Sequence, residues 1–385
     1  MRVLGSSKTV TISDDVFRQL FLATSGGPVC PQLKRLIWSS SYGWEHIQPF
    51  LSPRLTLVIF RKRGRYQPLA AGLKLADIIP LLPTIHLEEL RLECIPPPSA
   101  PIHTVLSEVV QQLNACFKRL STRSPLTDAA WEHLASLPKL RSLRVLDTPT
   151  AEISKSIHLS FPALDRVKIV ASDRYQRWAL LFPLLESSPL QQVSVSSLKV
   201  QGGDIPGQVT SAMLKAKLQR SISYLSFTCL DPANFTFLSR LGPFGSLKTL
   251  KWHTWCQGSG QCVFPLTDPD IEQLASELPQ LVSLYLGHEC KWTPRNNTIK
   301  SMISLSTHCL SLEILHLPCN LTGISEDIKT GTGVPDTRLE IQSPCTLRFL
   351  ALQWVTIPPP EDTEALEVMT SVLHHLFPLL PPIGG

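Results

Sequence analysis

The 385-residue sequence lacks several features that would place it in a specialised class of protein. No uncharged apolar run approaches the ~20 residues that a membrane-spanning helix needs. The opening residues, MRVLGSSKTVTISDD, contain no apolar run of the kind found in signal peptides. Charged residues make up only 17% of the chain, and the net charge of +5 is too small to indicate nucleic-acid binding by itself.

The ten cysteines are scattered, without a CxxC pair or the dense framework of a small disulfide-bonded domain. We interpret most of them as reduced core thiols and expect a cytoplasmic or nuclear protein. One group, His253, Cys256, Cys262, His288 and Cys290, follows two consecutive predicted strands and could bind zinc. Its spacing matches no zinc motif, so we favour two loops with reduced thiols and expect no metal and no cofactor.

Catalytic signatures are missing as well. The sequence contains no GxSxG elbow, no HExxH motif and no GxxxxGK[ST] phosphate-binding loop. Apolar residues nevertheless account for 43% of the chain, which is typical of a folded and packed protein. We therefore expect a protein that is not an enzyme.

What the sequence does contain is one short pattern that recurs along the chain: apolar, two variable residues, apolar, one variable residue, apolar. The eleven units are LKRLIW from Leu33, LTLVIF from Leu55, LEELRL from Leu87, LRSLRV from Leu140, LDRVKI from Leu164, LQQVSV from Leu190, ISYLSF from Ile222, LKTLKW from Leu247, LVSLYL from Leu281, LEILHL from Leu312 and LRFLAL from Leu347. The long interval between the third and fourth units predicts a twelfth, degenerate unit near FKRLST at Phe117. Such self-similarity is the signature of leucine-rich repeats.

Each unit reads as a strand, because alternate side chains point to opposite faces of a strand. The fourth and sixth positions should face the core, and the third and fifth should face solvent. Helical periodicity between the units, at 107–117, 173–188 and 363–377, supplies the crossovers that parallel strands require. We predict an α/β leucine-rich-repeat solenoid, an irregular horseshoe with its parallel sheet on the concave face and helices and loops on the convex face. We expect one domain over 1–385, with an irregular start at 1–32, repeats at 33–355 and a helical cap at 356–385.

A longer self-match supports the repeat. Residues 126–146 and 266–286 share twelve identical positions once Glu277 is set aside, and each copy predicts a short helix, a turn and a strand. Thr127 or Asp128 in the first copy, and Thr267 or Asp268 in the second, are suitable helix N-caps. The Asn or Cys that regular repeats carry after the strand is fully matched only in LEILHLPCN, which ends at Asn320, so we expect irregular turns.

The predicted concave face is the main candidate binding surface. It is rich in basic and aromatic residues, which are common at binding hot spots. The partner-binding residues that we predict are Arg35, Arg91, Arg144, Arg166, Lys168, Tyr224, Lys251, Tyr285 and His316, with Glu89 among them on the same face. An acidic or phosphorylated segment of a protein partner would suit this surface, and an ordinary solvated sheet face is the alternative. The basic run RKRGR at 61–65 is interpreted as a solvated loop, with nuclear import or a phosphate contact as alternatives.

The motif LTD…LASLP.L.SL, together with FLSPRLTLVIF at 50–60, resembles fungal F-box proteins with leucine-rich-repeat-like C-terminal regions. RVL at 2–4 resembles the first strand of such a region, and LHHLFPLL at 373–380 resembles its closing helix and turn. The resemblance implies a substrate-binding repeat region of a ubiquitin ligase receptor. In that family an N-terminal F-box, which opens with an LPxE-like helix, docks a Skp1-type adaptor. Here that segment is absent, so we expect adaptor binding only if an F-box is encoded upstream of Met1.

Three functions therefore compete. A protein-recognition module is favoured, because repeats occupy the chain and catalytic motifs are missing. A basic-faced solenoid that binds nucleic acid or another polyanion is the second, and an enzyme with a dispersed site is the third. We expect no membrane partner, and the segment 329–344 reads as a flexible insertion.

Overall fold

A computed structural model of the chain supports these fold predictions. The structure describes residues 14–24, 27–39, 46–61, 78–82, 86–92, 100–122, 124–145, 160–171, 178–197, 204–229, 237–254, 262–264, 266–287, 292–294, 297–322, 345–351, 359 and 361–379.

Twelve strands of the described chain form one sheet, in which they follow one another in chain order. Their bounds are β1 Arg35–Ser39, β2 Leu57–Arg61, β3 Glu89–Leu92, β4 Arg119–Ser121, β5 Ser142–Val145, β6 Arg166–Ala171, β7 Gln192–Ser197, β8 Tyr224–Cys229, β9 Thr249–Thr254, β11 Ser283–Leu286, β13 Ile314–His316 and β14 Phe349–Ala351. Two further strands, β10 Cys262–Phe264 and β12 Trp292–Pro294, pair in parallel with each other. Strand β4 is the degenerate twelfth unit, and it pairs in parallel with β3 and β5.

The repeats place the apolar residues of their fourth positions as the spacing predicts. Strand β2 departs from the spacing at its third and fifth positions, where Leu57 and Ile59 are buried although solvent exposure is predicted. The fourth position is buried in each of the units except the last, where Leu350 is half-buried. The registers align these residues across neighbouring strands, as in Leu225↔Leu250 and Leu250↔Leu284. The sixth position is buried too in the units where the structure describes it, and Trp252 is 1% exposed there. Because burying one such side chain is worth about 1.5–3 kcal/mol, the two columns form the core on which neighbouring repeats stack.

Helices connect many of the strands. Their bounds are α1 Asp14–Ala23, α2 Ala100–Gln111, α3 Asp128–Ser136, α4 Trp178–Leu184, α5 Ile205–Lys215, α6 Asp268–Glu277, α7 Ile299–His308 and α8 Thr363–Leu376. Consecutive helices pack side by side: α2 on α3, α4 on α5, and α6 on α7. The architecture is thus the predicted α/β solenoid. None of the helices in the described ranges is long and apolar enough to cross a membrane.

One helix lies earlier than its periodicity predicts. The pattern over 107–117 predicts a helix there, but α2 ends at Gln111. The following residues turn into β4 instead: the Asn114 side chain accepts a hydrogen bond from the backbone N–H of Cys116 at 2.8 Å, and the Phe117 N–H donates to the Asn114 carbonyl at 3.0 Å. Asn competes well with helix by bonding its neighbours in this way. The helices predicted within 173–188 and over 363–377 are confirmed as α4 and α8.

The self-matching segments adopt the same structure. Each copy forms a helix, α3 or α6, followed by a strand, β5 or β11, as predicted. Thr127 caps α3 by accepting from the backbone N–H of Ala130 at 3.4 Å. Thr267 caps α6 through a capping box with Asp270. The predicted helix starts and the predicted strands are therefore confirmed in both repeats.

The turn after β13 is satisfied by Asn320, the residue that fits the repeat consensus. Its side-chain oxygen accepts hydrogen bonds from the Thr322 N–H at 3.1 Å and the Thr322 hydroxyl at 2.8 Å. Its own N–H donates to the carbonyl of Asn297 at 2.7 Å. The Asn therefore satisfies turn backbone, as its consensus position predicts.

By its contacts the chain divides into two compact units. Unit 1 comprises Met1–Lys168 with Ser187–Pro189, and unit 2 comprises Ile169–Glu186 with Leu190–Gly385. The organisation into one domain with a distinct start and cap stays a prediction. The third, fifth and seventh positions of the repeats form one face of the sheet in each unit, which we call the open sheet face.

Candidate functional site

All nine predicted binding residues lie at strand positions of the open sheet face. Unit 1 contains Arg35, Arg91, Arg144, Arg166 and Lys168, and unit 2 contains Tyr224, Lys251, Tyr285 and His316. The structure confirms where they lie in the strands, and their role in binding stays a prediction.

In unit 1 the buried carboxylate of Glu89 organises two arginines. Glu89 is only 7% exposed, although its third position predicts solvent. It forms an ion pair with Arg91 on the same strand, and its other oxygen lies 3.4 Å from Arg119 Nη1 on the next strand. The prediction that Glu89 faces solvent is therefore wrong, because the two guanidinium groups cover it. This cluster retains one net positive charge.

Further along unit 1 the basic character continues. Arg166 Nε lies 3.2 Å from Asp165 Oδ1, so one neighbouring carboxylate offsets part of its charge. Arg35 and Lys168 are exposed, and Arg144 is half-buried. Arg119, which the sequence-based selection omitted, occupies the third position of the degenerate unit. The spacing rule would have included it if that unit had been read as a full repeat.

In unit 2 four rings and one ammonium form a continuous line across five neighbouring strands. We call it the aromatic row: Tyr224 on β8, Lys251 on β9, Tyr285 on β11, His316 on β13 and Phe349 on β14. The registers pair Lys251 with Tyr285 and Tyr285 with His316 directly. Lys251, Tyr285 and His316 thus share one column, the fifth position of their repeat units. Tyr224 and Phe349 stand at the third position, where the registers pair them with Thr249 and Ile314, so each end of the row meets its neighbour diagonally.

The ammonium of Lys251 lies between two tyrosine rings. Its Nζ is 4.2 Å from the ring centre of Tyr285 and 5.8 Å from that of Tyr224. Both distances fall within the range of a cation–π interaction, which is worth about 0.5–1 kcal/mol at an exposed site. The two rings therefore favour this position of the lysine side chain on the sheet.

The other half of the row is a stack of rings. The Tyr285 and His316 rings stack with centroids 4.5 Å apart and planes at 20°. The His316 and Phe349 centroids lie 5.3 Å apart, with planes at 37°. His316 is only 9% exposed, so the expectation that it faces solvent is wrong, because its two neighbours cover the imidazole faces. Phe349 is 52% exposed and ends the row.

Phe349 was missed by sequence reasoning. It occupies the third position of the last repeat unit, LRFLAL, so the same spacing rule places it on the open sheet face. Its importance comes from the neighbouring strand, whose pairing Ile314↔Phe349 brings the ring beside His316. A single sequence does not show that contact, since it depends on the register between two repeats.

The open sheet face of unit 2 carries no carboxylate at the strand positions that the structure describes in β7, β8, β9, β11, β13 and β14. Its ionisable side chains there are Lys251, His253, His316 and the two tyrosines of the row; serine and threonine supply most of the remaining positions. At these positions the face is therefore neutral to positive, which favours a ligand that carries negative charge.

Several other candidates fall partly or wholly outside the described residues. Cys256, His288 and Cys290 of the suspected zinc group lie there, and no group of three potential metal ligands occurs in the part of the chain that is described. Cys262, expected in a loop, instead begins the short strand β10. Arg61 is the exposed last residue of β2, while the rest of RKRGR, the segment RVL and the insertion 329–344 lie outside.

Comparison with known proteins identifies no family for this chain. No family model matches the sequence, and no curated protein matches it. Human 5T4 (Wnt-activated inhibitory factor 1, trophoblast glycoprotein) superposes with a TM-score of 0.38 at 14% identity, over 66% of this chain and 86% of that chain. A Bacteroides fragilis protein superposes with a TM-score of 0.32 at 10% identity, over 80% of this chain and 68% of that chain. Because these scores are low, the assignment to leucine-rich-repeat solenoids rests on the repeat and the sheet.

Proposed function

We propose that this solenoid is a protein-recognition module whose open sheet face binds an acidic or phosphorylated segment of its partner. The observation that carries the proposal is the charge of that face in unit 1. Glu89 is the single carboxylate at its described strand positions, which hold seven basic residues: Arg35, Arg61, Arg91, Arg119, Arg144, Arg166 and Lys168.

The chemistry of arginine supports this choice of partner. A guanidinium group can donate two parallel hydrogen bonds to a carboxylate or phosphate, which a lysine cannot match. Six of the seven basic residues are arginines, and they are spread over neighbouring strands rather than gathered in one loop. An extended acidic segment that crosses the strands would meet several of them in turn.

Charge reversal tests the proposal. The triple variant Arg144→Glu, Arg166→Glu and Lys168→Glu should weaken binding of fluorescein-labelled peptides rich in Asp, Glu and phosphoserine by about tenfold or more, as fluorescence anisotropy would record. The matched control Lys139→Glu, Lys215→Glu and Lys300→Glu makes the same change in net charge at exposed residues that lie outside the sheet strands. Equal binding by the two triple variants would refute the open-face site.

A polyanion-binding solenoid is the alternative that the same charges allow. Nucleic acid would bind with an affinity that falls steeply with salt and depends little on sequence. An anisotropy titration with single-stranded oligonucleotides at 50 and 200 mM salt separates the two. Submicromolar oligonucleotide binding that exceeds binding of the acidic peptides would reject the protein-segment proposal.

The finer form of the proposal is that the module is the substrate-binding part of an F-box-type receptor. It is supported by the sequence resemblance of the LTD…LASLP.L.SL and FLSPRLTLVIF motifs alone. The test is the transcript upstream of Met1: an in-frame LPxE-like helix, and binding of a purified Skp1-type adaptor by the extended chain, are the expected results. An extended chain that leaves the adaptor unbound would reject it.

A further inference from the structure

We propose that the aromatic row of unit 2 is a specific site for an extended peptide in which an acidic side chain and an apolar side chain stand about four residues apart. The proposal rests on the proposed function, because it assumes that the open sheet face binds protein segments. It adds a second site and states which pattern of peptide side chains that site recognises.

The orientation of the rings decides which of their atoms a ligand can meet. Tyr285 has the Lys251 ammonium over one face and the His316 imidazole over the other. His316 is in turn flanked by Tyr285 and Phe349. The ring faces therefore look along the sheet, from strand to strand, and the ring edges point away from it. A ligand lying on the row meets edges, hydroxyl groups and the ammonium, and cannot insert between the faces.

The edges of the row present positive charge to a ligand. An aromatic ring carries positive potential at its edge and negative potential at its face. The row adds the Lys251 ammonium and the tyrosine hydroxyls, and the described strand positions around it contain no carboxylate. Carboxylates and backbone carbonyls fit such a surface. Proline-rich segments, which stack on open ring faces, fit it poorly.

The row ends in an exposed apolar ring. Phe349 is 52% exposed, and β14 is the last strand of the described sheet. Its ring has His316 beside it at 5.3 Å and offers the rest of its apolar surface to a ligand. An aliphatic or aromatic side chain of the peptide would bury that surface, at a gain of ~25 cal/mol per Å².

The distance between the Lys251 ammonium and the Phe349 ring determines the spacing in the peptide. The three distances along the row, 4.2, 4.5 and 5.3 Å, keep the Lys251 ammonium within about 14 Å of the Phe349 ring centre. An extended peptide advances ~3.4 Å per residue, so about four residues span that length. The peptide lies across the strands, with its acidic side chain at Lys251 and its apolar side chain at Phe349.

The experiment measures this spacing directly. Fluorescein-labelled peptides in a Gly/Ser background carry one Asp and one Leu, separated by two to eight residues and in both orders, and are titrated with the full chain by fluorescence anisotropy. The tightest binding is expected at a separation of about four, and replacing Asp by Asn or Leu by Ser should weaken it by about fivefold or more. Affinity that is the same at every separation would overturn the proposal.

Two variants assign the ends of the peptide. Lys251→Met keeps the length of the side chain and should abolish the preference for Asp over Asn. Phe349→Ala should abolish the preference for Leu over Ser. The matched control is Leu310→Ala, because Leu310 is also an exposed apolar side chain, 41% accessible, and lies outside the sheet strands and the row. Thermal unfolding of each variant verifies that it is folded.

The outcomes separate the two proposals. If acidic peptides bind and the unit 1 triple variant weakens them, while the Lys251 and Phe349 variants bind every peptide like the wild type, this inference fails and the proposed function stands. If no acidic peptide binds the chain at all, both fail. Displacement of the best peptide by an uncharged proline-rich peptide, or by a single-stranded oligonucleotide at equal concentration, also overturns the inference.

Discussion

The Asp268 carboxylate accepts two hydrogen bonds from Ser301, from the backbone N–H at 3.1 Å and from the hydroxyl at 2.6 Å. The same carboxylate accepts two more from Thr298, from its N–H at 2.8 Å and its hydroxyl at 2.7 Å. Asp268 is the first residue of α6, and Thr298 and Ser301 belong to the start of α7. One side chain thus satisfies two backbone N–H groups at the N-terminus of the next helix and joins two repeats.

Replacing this aspartate should destabilise unit 2. Asp268→Ala is expected to lower the free energy of unfolding by about 2–4 kcal/mol, because it removes four hydrogen bonds to a charged acceptor. Urea denaturation followed by circular dichroism measures it. Asp270→Ala is the control: Asp270 bonds only within its own capping box, to Thr267, and should cost about 1 kcal/mol. Equal losses would contradict the role of Asp268 between repeats.

The buried residues at the fourth position of the repeats give a second prediction. Leu250 is fully buried between Leu225 and Leu284 on the neighbouring strands. Leu250→Ala should cost about 2–5 kcal/mol, since it leaves a cavity in a stacked core. Thr249→Ala, one residue away on the open sheet face, should cost less than about 1 kcal/mol. Chemical denaturation of the pair verifies the direction of each side chain, and a larger loss for Thr249→Ala would show that the assignment is reversed.

The sequence predicts the strands well because nearly every unit carries apolar residues at the same two inward positions, although in β2 the outward Leu57 and Ile59 are buried as well. An apolar residue at the fourth position, such as Leu250, has one face on which it can be buried, so its direction follows from the spacing. Even the degenerate unit around Leu120 is found this way. Helix ends are harder, as α2 shows, because Asn114 turns the chain by local hydrogen bonds that compete with helical periodicity.

The candidate site is only half predictable. That Tyr285 and His316 lie on the outward face follows from alternation. That they stack, with Lys251 over the opposite face of Tyr285, depends on the register between strands 31–34 residues apart in sequence. The burial of Glu89 is likewise a property of two arginines from neighbouring strands, and no single unit carries that information.

The five cysteines whose thiols the structure describes should divide into two reactivity classes. Cys309, Cys319 and Cys345 are free and buried, and burial raises the pKa of each thiol; Cys30 and Cys116 are free and exposed. Because the thiolate is the reactive form, iodoacetamide at pH 8 should label Cys30 and Cys116 in the native protein. The buried three should be labelled only after denaturation, as peptide mass spectrometry would show. Rapid native labelling of Cys309 would contradict its burial.

The same burial makes stability fall at alkaline pH. Desolvation, with a smaller contribution from Cys345, raises the pKa of Cys309 to about 12 from an ordinary value of 9.0. Between these values the folded state retains a proton that the unfolded state has lost, so stability that is complete below pH 9 declines as the pH rises toward 12. The expected contribution is up to about 1.4 kcal/mol per pH unit. Urea titrations from pH 8.5 to 10.5 should show a shallower decline for Cys309→Ala, and an unchanged slope would contradict this origin.

Glu89 stabilises unit 1 but lowers the positive charge of its open sheet face. Glu89→Gln leaves Arg91 and Arg119 without their shared carboxylate, so it should lower the free energy of unfolding by about 1–2 kcal/mol. The same change frees both guanidinium groups for a ligand and should tighten binding of acidic peptides. The matched control is Glu88→Gln, whose partner Lys118 lies 2.8 Å away with both side chains 43% exposed; it should cost less than about 1 kcal/mol. If Glu89→Gln weakens acidic peptide binding while the protein stays folded, then the carboxylate positions the arginines for the ligand instead of competing with it.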